Sequence, residues 1–322
     1  MAESMRAAVV DAFGAPPRYG SFPAPCPGEG GTAVEVLAAG LHPRVRFDAL
    51  GPPYARSTIL PMVPGIDGVG RTADGTRVFF SGITAPHGSL AERAVVPAGR
   101  ALPLPPGLAP EEVAAAMNPA VSAWTALTGR AALRPGERVL VLGATGCAGR
   151  TAVRLARRLG AAEVVAAGRN PAALARLTES GATALVDLRQ DDRALSRTLA
   201  ATAGDTDVVV DYLWGPVSEI ALAALASART DPAEPVRWVH LGTMSGPSLR
   251  LEGSLLRKAN IVLCGSGEGS VAPDALDQAY GDLLDQLEPG RPLVDPVVLP
   301  LGDIAGAWHL EVAAGARIVL TP

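Results

Sequence analysis

The chain has 322 residues, with 32 acidic against 28 basic side chains, a formal charge of −4 and a hydrophobic content of 48%. That length suits roughly two domains of about 150 residues each and is ample for sizeable buried cores. The apolar content excludes a disordered chain, and the acidic balance without a Lys/Arg tract argues against nucleic acid or an anionic membrane as partner.

Five Phe, four Tyr and four Trp are too few for base-stacking platforms. Lys258 is the one lysine; the remaining basic residues are arginine, a bias of the kind a GC-rich bacterial genome produces. Cys26, Cys147 and Cys264 lie far apart, with neither disulfide-framework nor structural-zinc spacing. No apolar run approaches the roughly 20 residues of a membrane span, and residues 1–6 lack a signal-peptide pattern. A cytoplasmic location is the expectation.

Residues 1 to about 117 read as strand-rich and irregular. Short apolar runs at Ala7–Val10, Ala33–Leu37, Arg77–Phe80 and Ala94–Val96 are separated by turns dense in Pro and Gly. From Pro110 the character changes: Glu111 and Glu112 follow the proline as acids in a first helical turn. Arg138–Leu142 is then a continuous apolar run of the kind buried in a parallel sheet. Further strands are predicted at Glu163–Ala167, Ala184–Val186, Val208–Asp211, Val236–Leu241 and Ile261–Cys264. Helices are predicted at Ala148–Leu159, Pro171–Ser180, Asp192–Thr202, Pro216–Ser227 and Gly253–Lys258. That alternation predicts βαβ units and a parallel sheet. The tail, Pro296–Thr321, returns to short strands with one helix around Ile304–Leu310.

The strongest local signal is the strand Val139–Leu142 running into Gly143-Ala144-Thr145-Gly146-Cys147-Ala148-Gly149. Its glycines are spaced GxxGxxG. Such a turn lets backbone approach a pyrophosphate and aims the free N–H groups of a helix N-terminus at it. Arg154 and Arg157 on the following helix either stay solvated or reach a phosphate. An NAD-preferring fold carries an acid at the end of its second strand; here Glu163 begins that strand and Gly168-Arg169-Asn170 ends it. A guanidinium there suits a ribose 2′-phosphate, which points to NADPH.

Several segments together resemble the medium-chain dehydrogenase/reductase superfamily, in its zinc-independent quinone oxidoreductase branch. They are Pro61-Met62-Val63-Pro64-Gly65-Ile66-Asp67-Gly68-Val69-Gly70, Gly88–Arg93, Asn118–Leu127, Leu133–Glu137 and Gly315–Leu320. The resemblance covers nearly the whole chain. It implies a doubly wound Rossmann parallel sheet over 118–270. A GroES-like, strand-rich catalytic domain would be formed from both chain ends, 1–117 and 271–322.

By the same resemblance, zinc-dependent relatives place their catalytic ligands at positions matched here by His42, Ile66 and Asn118. Of these only His42 is a strong ligand, whereas a catalytic zinc needs three; no metal is expected. Cofactor contacts are expected at Asn118, Gly143, Thr145, Gly146, Cys147, Ala148, Gly149, Gly168, Arg169, Asn170 and Leu213, and, nearer the nicotinamide, at Leu241, Gly242, Gly265 and Ser266. Cys264 reads either as a packed thiol or as a redox group, and Tyr212 and Trp214 either as walls of the site or as core aromatics. His42 and Tyr54 are the candidate catalytic residues. Quinone oxidoreductases usually carry Asn-Pro where this chain has His42-Pro43, and a Tyr near the position of Phe47.

The implied activity is NADPH-dependent hydride transfer to a quinone or to an activated enone, small molecules that need no metal. An NADPH-binding redox sensor or accessory protein with little turnover, and an alcohol dehydrogenase-like enzyme, are the alternatives. A homodimer joined along the apolar edge strand Ile261–Cys264 is expected from the family's habit.

Overall fold

A computed structural model describes residues 3–28, 30–52, 57–267 and 269–322. The chain opens with β1 (Ser4–Val9), β2 (Arg18–Pro23) and β3 (Thr32–Leu41), followed by α1 (Pro43–Leu50). Strands β4 (Asp67–Thr72), β5 (Arg77–Ser81), β6 (Arg93–Val96) and β7 (Ala101–Pro103) precede α2 (Pro110–Trp124). Regular alternation then begins: β8 (Arg138–Leu142), α3 (Cys147–Arg158), β9 (Glu163–Gly168), α4 (Pro171–Ala175), β10 (Ala184–Asp187) and α5 (Asp192–Ala203). It continues through β11 (Val208–Asp211), α6 (Gly215–Ala228), β12 (Val236–His240), α7 (Leu255–Lys258) and β13 (Ile261–Gly265). Helix α8 (Pro273–Leu284), strand β14 (Asp295–Pro300), the short α9 (Ile304–Ala307) and β15 (Ala316–Thr321) complete the chain.

Two compact units result. One comprises the described residues up to Asn118 together with Tyr280–Pro322, the other Pro119–Ala279. Both boundaries fall inside helices, α2 and α8, and neither falls in a linker. The second lies nine residues beyond the 270/271 division that the resemblance implies, inside α8.

In the first unit, β14-β15-β3-β4-β5-β7 form one sheet, with β6 also paired to β3, and β1 and β2 make a separate antiparallel ribbon. Alternate positions of β3 are buried, as Val34 and Val36 are, so one face of this sheet is apolar. Phe22, Val36, Leu41, Val63, Phe80, Leu90 and Ile318 pack together there. Each such side chain gains roughly 1.5–3 kcal/mol on burial. Strand β15 pairs antiparallel with the end of β3, Ile318 opposite Leu41, which sets Arg317 beside the entrance to α1.

In the second unit, β10-β9-β8-β11-β12-β13 form a wholly parallel sheet. Val139–Leu142 of β8 and Val208–Val210 of β11 are apolar and buried because helices cover both faces. Helix α3 buries Ala152, Val153, Leu155 and Ala156 while Arg157 and Arg158 face water. The core gathers Leu140, Val165, Leu199, Val209, Leu222, Leu225 and Trp238. The carboxyl ends of β8, β9, β11, β12 and β13 share one edge, which is where ligands bind in open α/β sheets.

Three predicted helices are shorter than the sequence suggested. The helix begun at Pro171 tightens into a 3-10 turn over Arg176–Thr178 and stops before Gly181, whose φ of +105° no helix accepts. Helices α7 and α9 span only Leu255–Lys258 and Ile304–Ala307. Among the described residues, no helix is long and apolar enough to cross a membrane.

Candidate functional site

At the carboxyl end of β8 the chain turns through Gly143, whose φ of +87° lies where side chains are strained. The turn is pinned from β9: the Gly143 and Ala144 N–H groups both donate to the Ala167 carbonyl, at 3.0 and 2.9 Å. Gly146 is the N-cap of α3 and supplies no side-chain cap, so the first N–H groups of the helix, at Cys147, Ala148 and Gly149, carry no side-chain acceptor. A Cβ on Gly149 would overlap the Gly143 carbonyl oxygen, so only glycine lets the first turn of α3 close against the loop. The half-exposed Thr145 and the exposed Gly146 edge this turn. The arrangement is an anion cradle built from backbone N–H groups and the positive end of a helix.

Strand β9 ends at the buried Gly168, and Arg169 and Asn170 follow it, exposed, on the same edge. Asn170 is the N-cap of α4, its Oδ1 accepting the Ala173 N–H at 3.0 Å. Arg169 makes no hydrogen bond or ion pair with any described residue. Glu163 is occupied at the far end of the strand, where it accepts from Arg138 Nε at 2.9 Å. Arg157 donates to the Ala162 carbonyl at 2.7 Å, at the other end of α3 from the glycine turn. A phosphate contact by Arg157 therefore has no support.

After β11 the backbone is held by one carboxylate. Asp211 is fully buried; its Oδ1 accepts the N–H groups of Leu213 and Trp214, at 2.8 and 3.0 Å. Its Oδ2 accepts the Ser218 hydroxyl at 2.6 Å and the Trp238 indole N–H at 3.1 Å. The turn forces Trp214 to a φ of +56°, strain of about 1–2 kcal/mol that this network holds in place. The Trp214 ring packs against His240 at a tilt of 38°, with centroids 4.2 Å apart. The loop after β12 zips onto the same turn, since Met244 and Ser245 N–H donate to the Tyr212 and Leu213 carbonyls at 3.2 and 2.7 Å. Leu241 and Gly242 are partly buried there, while Gly265 is exposed and Ser266 donates its N–H to the His240 carbonyl at 2.9 Å. Leu213 packs over Gly143. Tyr212 is a core residue whose phenol burial pushes above its ordinary pKa, so it stays neutral.

In the strand-rich unit, His42 stands between β3 and α1 and is 1% exposed. Its Nε2 lies 3.0 Å from Oδ1 of Asp67, itself buried at the start of β4. Its Nδ1 is buried without a hydrogen-bond partner, a loss of about 1–3 kcal/mol unless a ligand meets it. Phe47 is exposed on α1. Tyr54 lies outside the described residues. Cys264 is half-buried on β13. Asn118 is partly buried on α2, at the unit boundary.

Residue chemistry does not fit a metal at the position of the zinc ligands. Ile66 brings no donor atom and His42 already bonds a carboxylate. Among the described residues no group of three or more His, Cys, Asp or Glu could hold an ion. The residues that sequence reasoning missed are Asp67 and Asp211. In the sequence Asp67 is only part of a glycine-rich family segment, and Asp211 only a strand terminus; an acid at the end of an otherwise apolar strand is the available signal.

A model of the saccharopine dehydrogenase NADP-binding domain matches residues 139–231. The Emericella nidulans protein named Probable NADPH-dependent quinone reductase tdiC is 29% identical, over 99% of this chain and 100% of its own length. The quinone oxidoreductase of Homo sapiens is 33% identical over 48% of this chain and 50% of that relative. Among solved structures, the quinone oxidoreductase from Thermus thermophilus, known also in complex with NADPH, is 30% identical. It covers 99% of this chain and 100% of its own, with a TM-score of 0.79.

Proposed function

The chain belongs to the medium-chain dehydrogenase/reductase superfamily, in its zinc-independent quinone oxidoreductase-like branch, and on that footing we propose that it transfers hydride from NADPH to a quinone or to the β-carbon of an activated enone. Its parallel sheet is the Rossmann unit and its strand-rich part the GroES-like unit of that fold. It is an oxidoreductase and NADPH is its cofactor.

The observation that carries this reading is the glycine turn at the N-terminus of α3, with Arg169 ending the next strand on the same edge. The N–H groups of Cys147, Ala148 and Gly149 suit the cofactor diphosphate, Arg169 suits its 2′-phosphate, and Leu241, Gly242, Gly265 and Ser266 line the edge for its other half. When bound, NADPH supplies the hydride. The chain then has to place the ring, exclude water and provide a proton or hydrogen bond to the oxygen that becomes negative. His42 and Tyr54 are the residues proposed for catalysis.

An NADPH sensor with little turnover is open from the sequence because no acid/base pair is evident there. The buried His42–Asp67 contact supports turnover over that reading. Alcohol dehydrogenation is disfavoured by Ile66, which stands where a metal ligand would be needed. The test is consumption of NADPH and NADH against a panel of quinones and enones. Turnover that prefers NADPH supports the reading; tight binding without turnover on any of them removes it.

A further inference from the structure

Two tryptophans meet the Asp211 carboxylate, and they are used differently. Trp238 is fully buried and donates its indole N–H to Asp211 Oδ2 at 3.1 Å. Trp214 bonds Asp211 through its backbone N–H alone, at 3.0 Å. It is half-buried, and among the described residues its indole N–H has no hydrogen bond.

Nothing in the local backbone rewards a tryptophan at this position. At φ +56° and ψ −166° it occupies a region reserved in practice for glycine. It is the N-cap of α6 and gives no side-chain cap bond, where Ser, Thr, Asp, Asn or Gly is the ordinary choice. What the ring does contact is His240, which is half-buried at the end of the neighbouring strand β12, opposite Asp211. The two rings together make an aromatic surface where β11 and β12 end.

The order of the strands says which part of the cofactor comes there. In the sheet, β9 and β11 lie on opposite sides of β8. The glycine turn after β8 suits the diphosphate and Arg169 after β9 suits the 2′-phosphate, so the adenosine half runs toward β9. The nicotinamide half then runs the other way, over the ends of β11 and β12. Every residue in this placement belongs to the one unit Pro119–Ala279.

We propose that Trp214 is a cofactor-binding residue, held in its glycine-type conformation so that its indole forms the wall against which the nicotinamide ring lies. The inference rests on the NADPH reading above and deepens it. An indole face attracts a cation, and the nicotinamide ring is positively charged in NADP+ and neutral in NADPH. The wall therefore holds the oxidised cofactor more firmly than the reduced one, and adds nothing to the hold on the adenosine half.

Calorimetric titration of the full chain with NADP+, NADPH and adenosine 2′,5′-bisphosphate tests this without turnover. Trp214→Gly takes the ring away and suits the backbone conformation, so the fold is kept. It should raise the NADP+ Kd about tenfold, raise the NADPH Kd by less, and leave the bisphosphate Kd unchanged. Trp214→Phe keeps a ring and should fall between the wild type and Trp214→Gly. Equal rises for NADP+ and NADPH, a rise shared by the bisphosphate, or wild-type NADP+ affinity in Trp214→Gly overturns the proposal. A wild-type protein that binds none of the three would instead remove the cofactor reading, and the proposal with it.

Discussion

Asp211 and Trp238 are joined across neighbouring parallel strands: the fully buried carboxylate accepts the indole N–H at 3.1 Å. The same carboxylate holds the backbone of Leu213 and Trp214, so one side chain ties the sheet core to the edge where the cofactor is proposed to bind. Among the described residues, four neutral donors bond this carboxylate, two backbone N–H groups, a hydroxyl and an indole.

Asp211→Ala should strip the acceptor from the Trp238 indole, the Ser218 hydroxyl and two backbone N–H groups at once. The expected loss is about 3 kcal/mol or more of stability, read as a fall in the denaturation midpoint. A loss under about 1 kcal/mol would mean that these donors find other partners.

Arg169→Ala should weaken NADPH binding by about 1.5–3 kcal/mol, the size of a charge-assisted contact, and leave NADH nearly unaffected. That is roughly a tenfold to 150-fold rise in the NADPH Kd, measurable by titration. Equal loss for both cofactors would show that Arg169 does not read the 2′-phosphate.

Asp187 titrates at about 2, held down first by hydrogen bonds from Arg189. Its folded pKa lies below its unfolded value, so the pair's contribution is present above the ordinary carboxylate range and is lost as pH falls through about 2. Arg189→Ala should raise Asp187 toward its ordinary range in an NMR titration, with the backbone N–H of residue 189 still holding it somewhat down. The change in stability should be small, because both groups are exposed and screened by salt.

Strand β13 is the last of its sheet, and Val262 on it is 50% exposed. An apolar open edge is a template for pairing, so a homodimer through β13 is expected. Sedimentation should give a dimer that Val262→Asp weakens. A wild-type monomer at micromolar concentration would contradict it.

The parallel sheet was legible because its strands are near-continuous apolar runs, and the run at Val208–Asp211 coincides with β11. The glycine turn was legible because its spacing follows from backbone geometry. Helix α1 was not, since its buried face is only Val45, Asp48 and Ala49 after a Pro start. Helix α8 was missed although Pro273 and Asp274 mark its start, because its buried residues, Ala279, Tyr280, Leu283 and Leu284, cluster in the last two turns. The His42–Asp67 contact joins positions 25 residues apart, which no local pattern reports. Strand pairing around β3 and β4 brings them together, and only the folded chain shows it.

The most direct test of the account is NADPH oxidation in the presence of a para-quinone, by protein treated with a chelator and assayed for zinc. Quinone-dependent oxidation is expected at a rate unchanged by the chelator, with no stoichiometric zinc, because Ile66 stands where a ligand would be needed. Activity abolished by the chelator and restored by zinc, or NADPH bound but never oxidised, would contradict it.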